Sequence, residues 1–199
     1  VALAKGTGAA VVDRGGKSWF FLTADYAFGH ALEADTTKVV KEKGGTVVGA
    51  VRHPLNASDF SSFLLQAQNS KAQILGLANA GGDTINSIKA ANEFGINKTM
   101  KTAGLLVFLS DIHSLGLNAA QGLLLGESFY WDLNDATRAW SRRFFARTGR
   151  MPTMLQAGIG PNVIPSMAEA VIDIRIVPDE DLVALTAQMS ARINDPAVR

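Results

Sequence analysis

Cysteine is absent from the chain. Its absence excludes disulfides, thiolate metal ligation and a cysteine nucleophile. It leaves both a bacterial periplasm and a cytosol open. No apolar run reaches about 18 residues, so no membrane-spanning helix is expected. No charged segment followed by an apolar one opens the sequence, which begins at Val1 rather than Met, so either a removed leader or a trimmed chain is expected. A strong charge of one sign is missing too. The net charge is +1, which gives neither nucleic acid nor an anionic membrane an electrostatic claim to be the main partner. What remains is an ordinary globular balance of 47% apolar and 19% charged residues over 199 positions. That is enough for one sizeable α/β domain, or a domain with a small appendage.

The chain alternates between two hydrophobic periods. Residues 18–23 (Ser-Trp-Phe-Phe-Leu-Thr) form a short apolar, aromatic run that reads as a buried strand. A helix is expected over residues 28–43, with Gly44 and Gly45 as a left-handed stop. Residues 46–52 are β-branched and strand-like. Ser58 is placed to cap a helix whose Phe60, Phe63, Leu64 and Ala67 share one face. Strand 73–78 follows, then a helix over residues 83–94 stopped by Gly95. A shorter strand is expected over residues 102–106 and a longer one over residues 122–130. A last helix covers residues 136–148, with Asn134 or Asp135 as its cap and Gly149 as its stop. This rhythm implies parallel strands joined by right-handed crossovers. Near-continuous apolar strands imply a sheet covered on both faces. The expected fold is therefore α/β, a doubly wound three-layer parallel sheet. In such sheets ligands sit beyond the carboxyl ends of the strands, here residues 23–26, 52–55, 78–83 and 105–108.

A resemblance sharpens this. Lys17-Ser-Trp-Phe-Phe-Leu-Thr-Ala-Asp-Tyr-Ala-Phe-Gly29, Lys43-Gly-Gly-Thr-Val-Val-Gly49, Asp59-Phe-Ser-Ser-Phe63 and Ala72-Gln-Ile-Leu75 occur in order. Ala90-Ala-Asn-Glu-Phe-Gly95, Ala120-Gln-Gly122, Tyr130-Trp-Asp-Leu-Asn134 and Arg147-Thr-Gly-Arg-Met-Pro152 continue the series. Together they resemble the type I periplasmic solute-binding proteins of the leucine/isoleucine/valine family of ABC transporters, over residues 2–158. The resemblance implies one lobe of a two-lobed clamp, a periplasmic location, an ABC permease as partner and non-covalent binding of an amino acid or carboxylate. It also implies that the other lobe is mostly missing, and that the helix over residues 136–148 would belong to it. After Gly158 the run Pro161-Asn-Val-Ile-Pro-Ser-Met-Ala-Glu-Ala-Val-Ile-Asp-Ile-Arg-Ile176 resembles the dimerisation (lid) domain of M20 metallopeptidases, with a helix after it over residues 179–193. In that family the residues matching Asn162 and Arg175 contact a substrate carboxylate. Residues 159–199 are thus expected to append a strand and a helix, and the chain reads as a hybrid of natural or engineered origin.

Tyr26 matches the cleft tyrosine of the binding-protein family, where a ring can stack on a solute and its hydroxyl can hydrogen-bond. In Asn79-Ala-Gly-Gly-Asp-Thr84 the glycines allow backbone N–H groups to face an anion at a helix start. A plain turn capped by Asp83 is the bland alternative. Asn79 and Ala80 are expected to line the cleft. Leu105 and Leu106 stand where amino-acid binders of the family place an acid for the ligand's ammonium group. The resemblance therefore favours a solute without one, such as an aromatic or aliphatic carboxylate, with Leu106 lining the site. His30, His53 and His113 lack metal-ligand spacing and read as surface or helix histidines. Ser110, Asp111, His113 and Ser114 lie too close along one loop to form a triad, and no nucleophile elbow is present. No enzyme activity, metal or cofactor is expected. Trp131 and Trp140 are expected to be exposed if the lobe stands alone, which invites self-association into a homo-oligomer. Arg142 and Arg143 read as a solvated helix face. Two alternatives remain: a structural or engineered chimera with no native activity, and a fragment related to an M20 peptidase.

Overall fold

The computed structural model describes residues 2–154. Asn162, Arg175 and the expected lid-like strand and helix lie outside the described residues. Five parallel strands form one sheet in the order β2-β1-β3-β4-β5. They are β1 (Ser18–Ala24), β2 (Thr46–His53), β3 (Ile74–Ala78), β4 (Lys101–Gly104) and β5 (Leu124–Leu125). The helices are α1 (Ala2–Asp13), α2 (Ala27–Glu42), α3 (Ser61–Asn69), α4 (Gly81–Glu93), α5 (Leu109–Leu115) and α6 (Asp135–Thr148), with a 3₁₀ turn at Ile96–Lys98.

The central strand sorts its aromatic side chains by parity. Trp19 and Phe21 join Ile74, α1 (Ala4, Val11, Val12) and α2 (Leu32, Val40) on one face of the sheet. Phe20 and Leu22 join Leu75, Leu77, Phe60 just before α3, α3 itself (Leu64, Ala67) and α4 (Ile88, Ala91) on the other. Period-2 alternation on a strand buried from both sides produces this division. Burying each large apolar side chain contributes about 1.5–3 kcal/mol. The doubly wound three-layer fold is as expected.

Several local expectations need correction. The strand over residues 122–130 shrinks to two residues, because β4 offers only Ala103 and Gly104 for pairing. Beyond it the chain dives against α1, where a Cβ on Gly126 would meet the Thr7 hydroxyl at 2.7 Å. Ser58 does not cap α3. The Asp59 carboxylate accepts from the Ser61 N–H at 2.8 Å instead. The helix expected from residue 83 begins at Gly81. Helices α1 and α5 went unforeseen. The α1 signal was present in Ala4, Thr7, Gly8, Val11 and Val12, whose buried side chains repeat at helical spacing. Gly6 and Gly8 mask it by lowering helix propensity. Gly8 is needed small, since a Cβ there would stand 3.0 Å from the Thr36 methyl.

At the other end of the chain, Asn134 caps α6 as expected, its side chain accepting from the Thr137 N–H at 3.0 Å. Gly149 closes that helix at φ +70. Trp131 and Trp140 are not stranded in solvent. They are partly buried against Phe129, Met154, Phe108 and Leu3, with Trp140 edge-on to Phe129 at 5.4 Å. Arg142 and Arg143 are exposed, as expected of a solvated face.

Candidate functional site

Parallel strands bring the turns after β1, β2, β3 and β4 to one edge of the sheet, the carboxyl edge. Tyr26 stands there as the residue before α2, partly buried, its ring 5.8 Å from that of Phe28. Ala80 holds the equivalent place before α4. Neither helix receives a side-chain cap, so the first N–H groups of both keep their donors. Gly81 is left-handed at φ +58, and a Cβ on Gly81 or Gly82 would meet nothing within 4 Å. The two uncapped starts offer N–H donors suited to a carboxylate, with the buried Asp83 in the first turn of α4 offsetting part of the positive potential there. Leu106 follows β4 and is partly buried, whereas Leu105 is buried in the core. No acidic side chain occupies either position.

Asn79 behaves differently from the expectation that it lines a cleft. It is fully buried, and its amide is engaged inside the fold. Thr84 Oγ1 donates to Asn79 Oδ1 at 2.7 Å. Asn79 Nδ2 lies 3.1 Å from His53 Nε2 and 3.4 Å from Ser87 Oγ. His53 Nδ1 lies 2.8 Å from the Pro54 carbonyl, which can only accept, so Nδ1 carries the hydrogen and Nε2 accepts from Asn79. His53 is therefore a buried linchpin rather than a surface histidine. Its ring also packs edge-on against Phe60 at 5.0 Å. Nearby, Asp83 caps nothing. Its Oδ2 accepts from the Asn56 N–H at 3.2 Å, and Asn56 takes a left-handed φ of 56. The turns after β2 and β3 are thus tied together from beneath, and that tie holds Ala80 and the glycines in position.

At the outer end of the same edge the Asp25 carboxylate pairs with His30 Nε2 at 2.8 Å and faces Arg52 Nη1 at 3.8 Å. Thr23 Oγ1 donates to Glu33 Oε2 at 2.6 Å. Asp111 accepts from the Phe108 N–H at 2.8 Å, and Ser114 donates to the Ser110 carbonyl. Both are local helix bonds, so these residues assemble no triad. Among the described residues no group of three His, Asp or Glu could hold a metal ion. None of the described helices is long and apolar enough to cross a membrane.

Glu127 was missed in the sequence, although it is an isolated acid within the apolar stretch after Gly122. Both its carboxylate oxygens are buried without a hydrogen-bond partner of standard geometry. Burial pushes its pKa up to about 7, the nearby Asp111 charge adds to the rise, and the Leu109 backbone opposes it. The unfolded chain releases this proton near the ordinary carboxyl value of 4.5. Between that value and about 7 the folded form holds a proton the unfolded form has lost, so stability falls as pH rises across the window. Allowing for solvent screening, the loss from pH 5 to pH 8 is expected to be about 1–2 kcal/mol. Glu127→Gln should flatten it, and urea unfolding at the two pH values checks both chains. An unchanged slope in the variant would assign the titration to another group.

Comparison with known proteins extends these observations. A family model described as a periplasmic binding protein matches residues 2–188, running past the boundary expected near residue 158. The chain is 68% identical to a periplasmic binding protein from Burkholderia mallei, with a TM-score of 0.72, over 78% of this chain and 42% of that one. It is 39% identical to a branched-chain amino acid ABC transporter periplasmic ligand-binding protein from Burkholderia xenovorans LB400, with a TM-score of 0.71 and the same coverage of 78% and 42%. A solute-binding protein of an ABC transporter from R. palustris, solved with 4-hydroxybenzoate, is 25% identical with a TM-score of 0.54, over 57% of this chain and 32% of that one. The chain thus spans less than half the length of each of these relatives.

Proposed function

We propose that this chain, which belongs to the periplasmic binding protein family, is one lobe of the solute-binding component of an ABC importer. Its solute is an amino acid or a small aromatic or aliphatic carboxylate. It works in the periplasm, delivers the solute to an ABC permease, and performs no covalent chemistry. The observation that carries this reading is the pair of uncapped helix starts, before which Tyr26 and Ala80 sit on one sheet edge. Those donors suit a carboxylate, and Tyr26 and Leu106 offer an apolar surface for the rest of the solute. The absence of an acid at Leu105 and Leu106 favours solutes without an ammonium group. Relatives that are an amino-acid binder and a 4-hydroxybenzoate binder fit the same range.

Binding proteins of this kind close two lobes on the solute. One lobe leaves much of the solute in water, so affinity on the order of 1 mM is expected. At 10 mM ligand that yields about 1.4 kcal/mol of stabilisation, or a rise in Tm of about 3–5 °C. A thermal-shift series with leucine, benzoate and 4-hydroxybenzoate tests this, with the mass in solution followed by light scattering. Tyr26→Ala should remove the rise. A folded protein that shifts with none of the three would sink the reading of a working half-site and favour a scaffold without native activity.

For residues 159–199 the run from Pro161 to Ile176 supports a second reading, a peptidase-lid-like strand and helix in which Asn162 and Arg175 contact a carboxylate. The family match, which continues to residue 188, weighs against that reading. Zinc bound stoichiometrically to the purified chain would favour the peptidase relation.

A further inference from the structure

The opposite, amino-terminal edge of the sheet carries a cavity of ≈ 390 Å³, with a volume in the range of small-molecule sites. It lies where the turn from α1 to β1 meets the starts of β3 and β4. Its wall carries three cationic side chains, Arg14, Lys98 and Lys101, and no acidic one. None of the three makes an ion pair with a described residue. Beside them lies the partly exposed Leu124, with the buried side chains of Val11, Ile74 and Met100 forming the floor. The wall is held in shape before any ligand arrives. Trp19 Nε1 donates to the Gly16 carbonyl at 2.8 Å, and the Gly16 N–H donates to the Val11 carbonyl at 2.9 Å. Gln73, also in the wall, turns its Oε1 to accept from the Lys17 N–H at 2.8 Å, so its amide donors face away from that bond. A second cavity of ≈ 520 Å³ shares Asn97, Met100, Lys101 and Leu124 with the first and adds Ile88 and Leu123.

We propose that this edge is a second binding site, for a small amphipathic anion with a carboxylate head and a short apolar tail. Three unpaired cations around one cavity raise the local concentration of anions and fix the head by charge-assisted hydrogen bonds. Charge alone is insufficient, because a fully hydrated ion would leave the partly exposed Leu124 and the aliphatic stems of Lys98 and Lys101 in contact with water. The shared wall with the second cavity gives a tail room to extend. The site is independent of the carboxyl edge, since no residue of the Tyr26, Ala80 and Leu106 turns lines it.

Hexanoate is the probe, with 1-hexanol as its uncharged counterpart, followed through the ¹³C-methyl signals of Val11, Ile74 and Met100 in the full chain. Hexanoate should move these signals saturably, and 1-hexanol should bind at least about fivefold more weakly. The variant Arg14→Ala/Lys98→Ala/Lys101→Ala should lose about tenfold in affinity, as expected for three exposed ion pairs together. Lys98→Gln alone, at an exposed position in the 3₁₀ turn, should weaken binding about two- to threefold, and it serves if the triple variant does not fold. Tyr26→Ala should leave the hexanoate response unchanged. Methyl signals that stay still, equal binding of hexanoate and 1-hexanol, or charge variants that bind like the parent would each overturn the proposal.

Discussion

Gly29→Ala is expected to destabilise the lobe by about 3 kcal/mol, lowering its Tm by about 6–12 °C. Gly29 is a buried residue in the first turn of α2. A Cβ there would collide with the Ala24 carbonyl oxygen and come within 3.1 Å of the Ala78 oxygen. Both obstacles are backbone atoms at the carboxyl ends of β1 and β3, so no flexible side chain can give way. Either α2 moves off the sheet or the two strands part. Gly82→Ala is the control. A Cβ at Gly82 meets nothing within 4 Å, and alanine in a helix gains up to about 1 kcal/mol over glycine. Thermal unfolding followed by circular dichroism separates the two. A Gly29→Ala variant that melts within about 2 °C of the parent would show that α2 is not seated on the strand ends as described. The same close seating places Tyr26 beside the end of β1, so the residue that makes the helix fit also aims the candidate site.

The second large effect is expected at Asn79. Truncation to alanine strips partners from His53 Nε2 and Thr84 Oγ1, both inside the protein, at a cost of about 2–4 kcal/mol. Most of that cost is desolvation without compensation rather than the worth of any one bond. His53→Ala should therefore cost less in the Asn79→Ala background than alone, with a coupling of about 1–2 kcal/mol. Urea unfolding of the two single variants and the double variant measures it. Additive effects would mean that the amide and the imidazole do not depend on each other. Solute binding should weaken with Asn79→Ala as well, because the turns after β2 and β3 lose their common anchor, although Asn79 itself is out of a solute's reach.

The sheet was legible because strands such as Ser18–Ala24 and Ile74–Ala78 are buried on both sides and leave continuous apolar runs. Helix ends were legible where glycine takes a left-handed conformation, as Gly95 does at φ +68. Reading failed where tertiary context decides. The apolar stretch from residue 122 resembles a long strand, yet its neighbour β4 is only four residues long, and an edge strand extends no further than its partner permits. Sequence position put Asn79 at the right edge of the sheet. It could not tell a side chain facing a cleft from one turned inward to satisfy a histidine. His53 looked like a surface residue because its partners are 26 positions away, or adjacent only through a carbonyl. Glu127 was invisible for a similar reason, since Leu109 and Asp111, which act on it, come from α5.

Two helix starts on the carboxyl edge, those of α2 and α4, differ from others among the described residues, including that of α3 on the same edge. Helix α6 opens with a reciprocal cap between Asn134 and Thr137, and α3 opens with Asp59 bonded to Ser61. Helices α2 and α4 open on Tyr26 and Ala80, which cap nothing. A good cap contributes about 1 kcal/mol, and the chain forgoes it twice, side by side. An aspartate before either helix would strengthen the fold and, with the same stroke, supply from within the negative charge that a solute brings from outside. At those two helix starts the chain leaves undone the fastening that a guest carboxylate would supply.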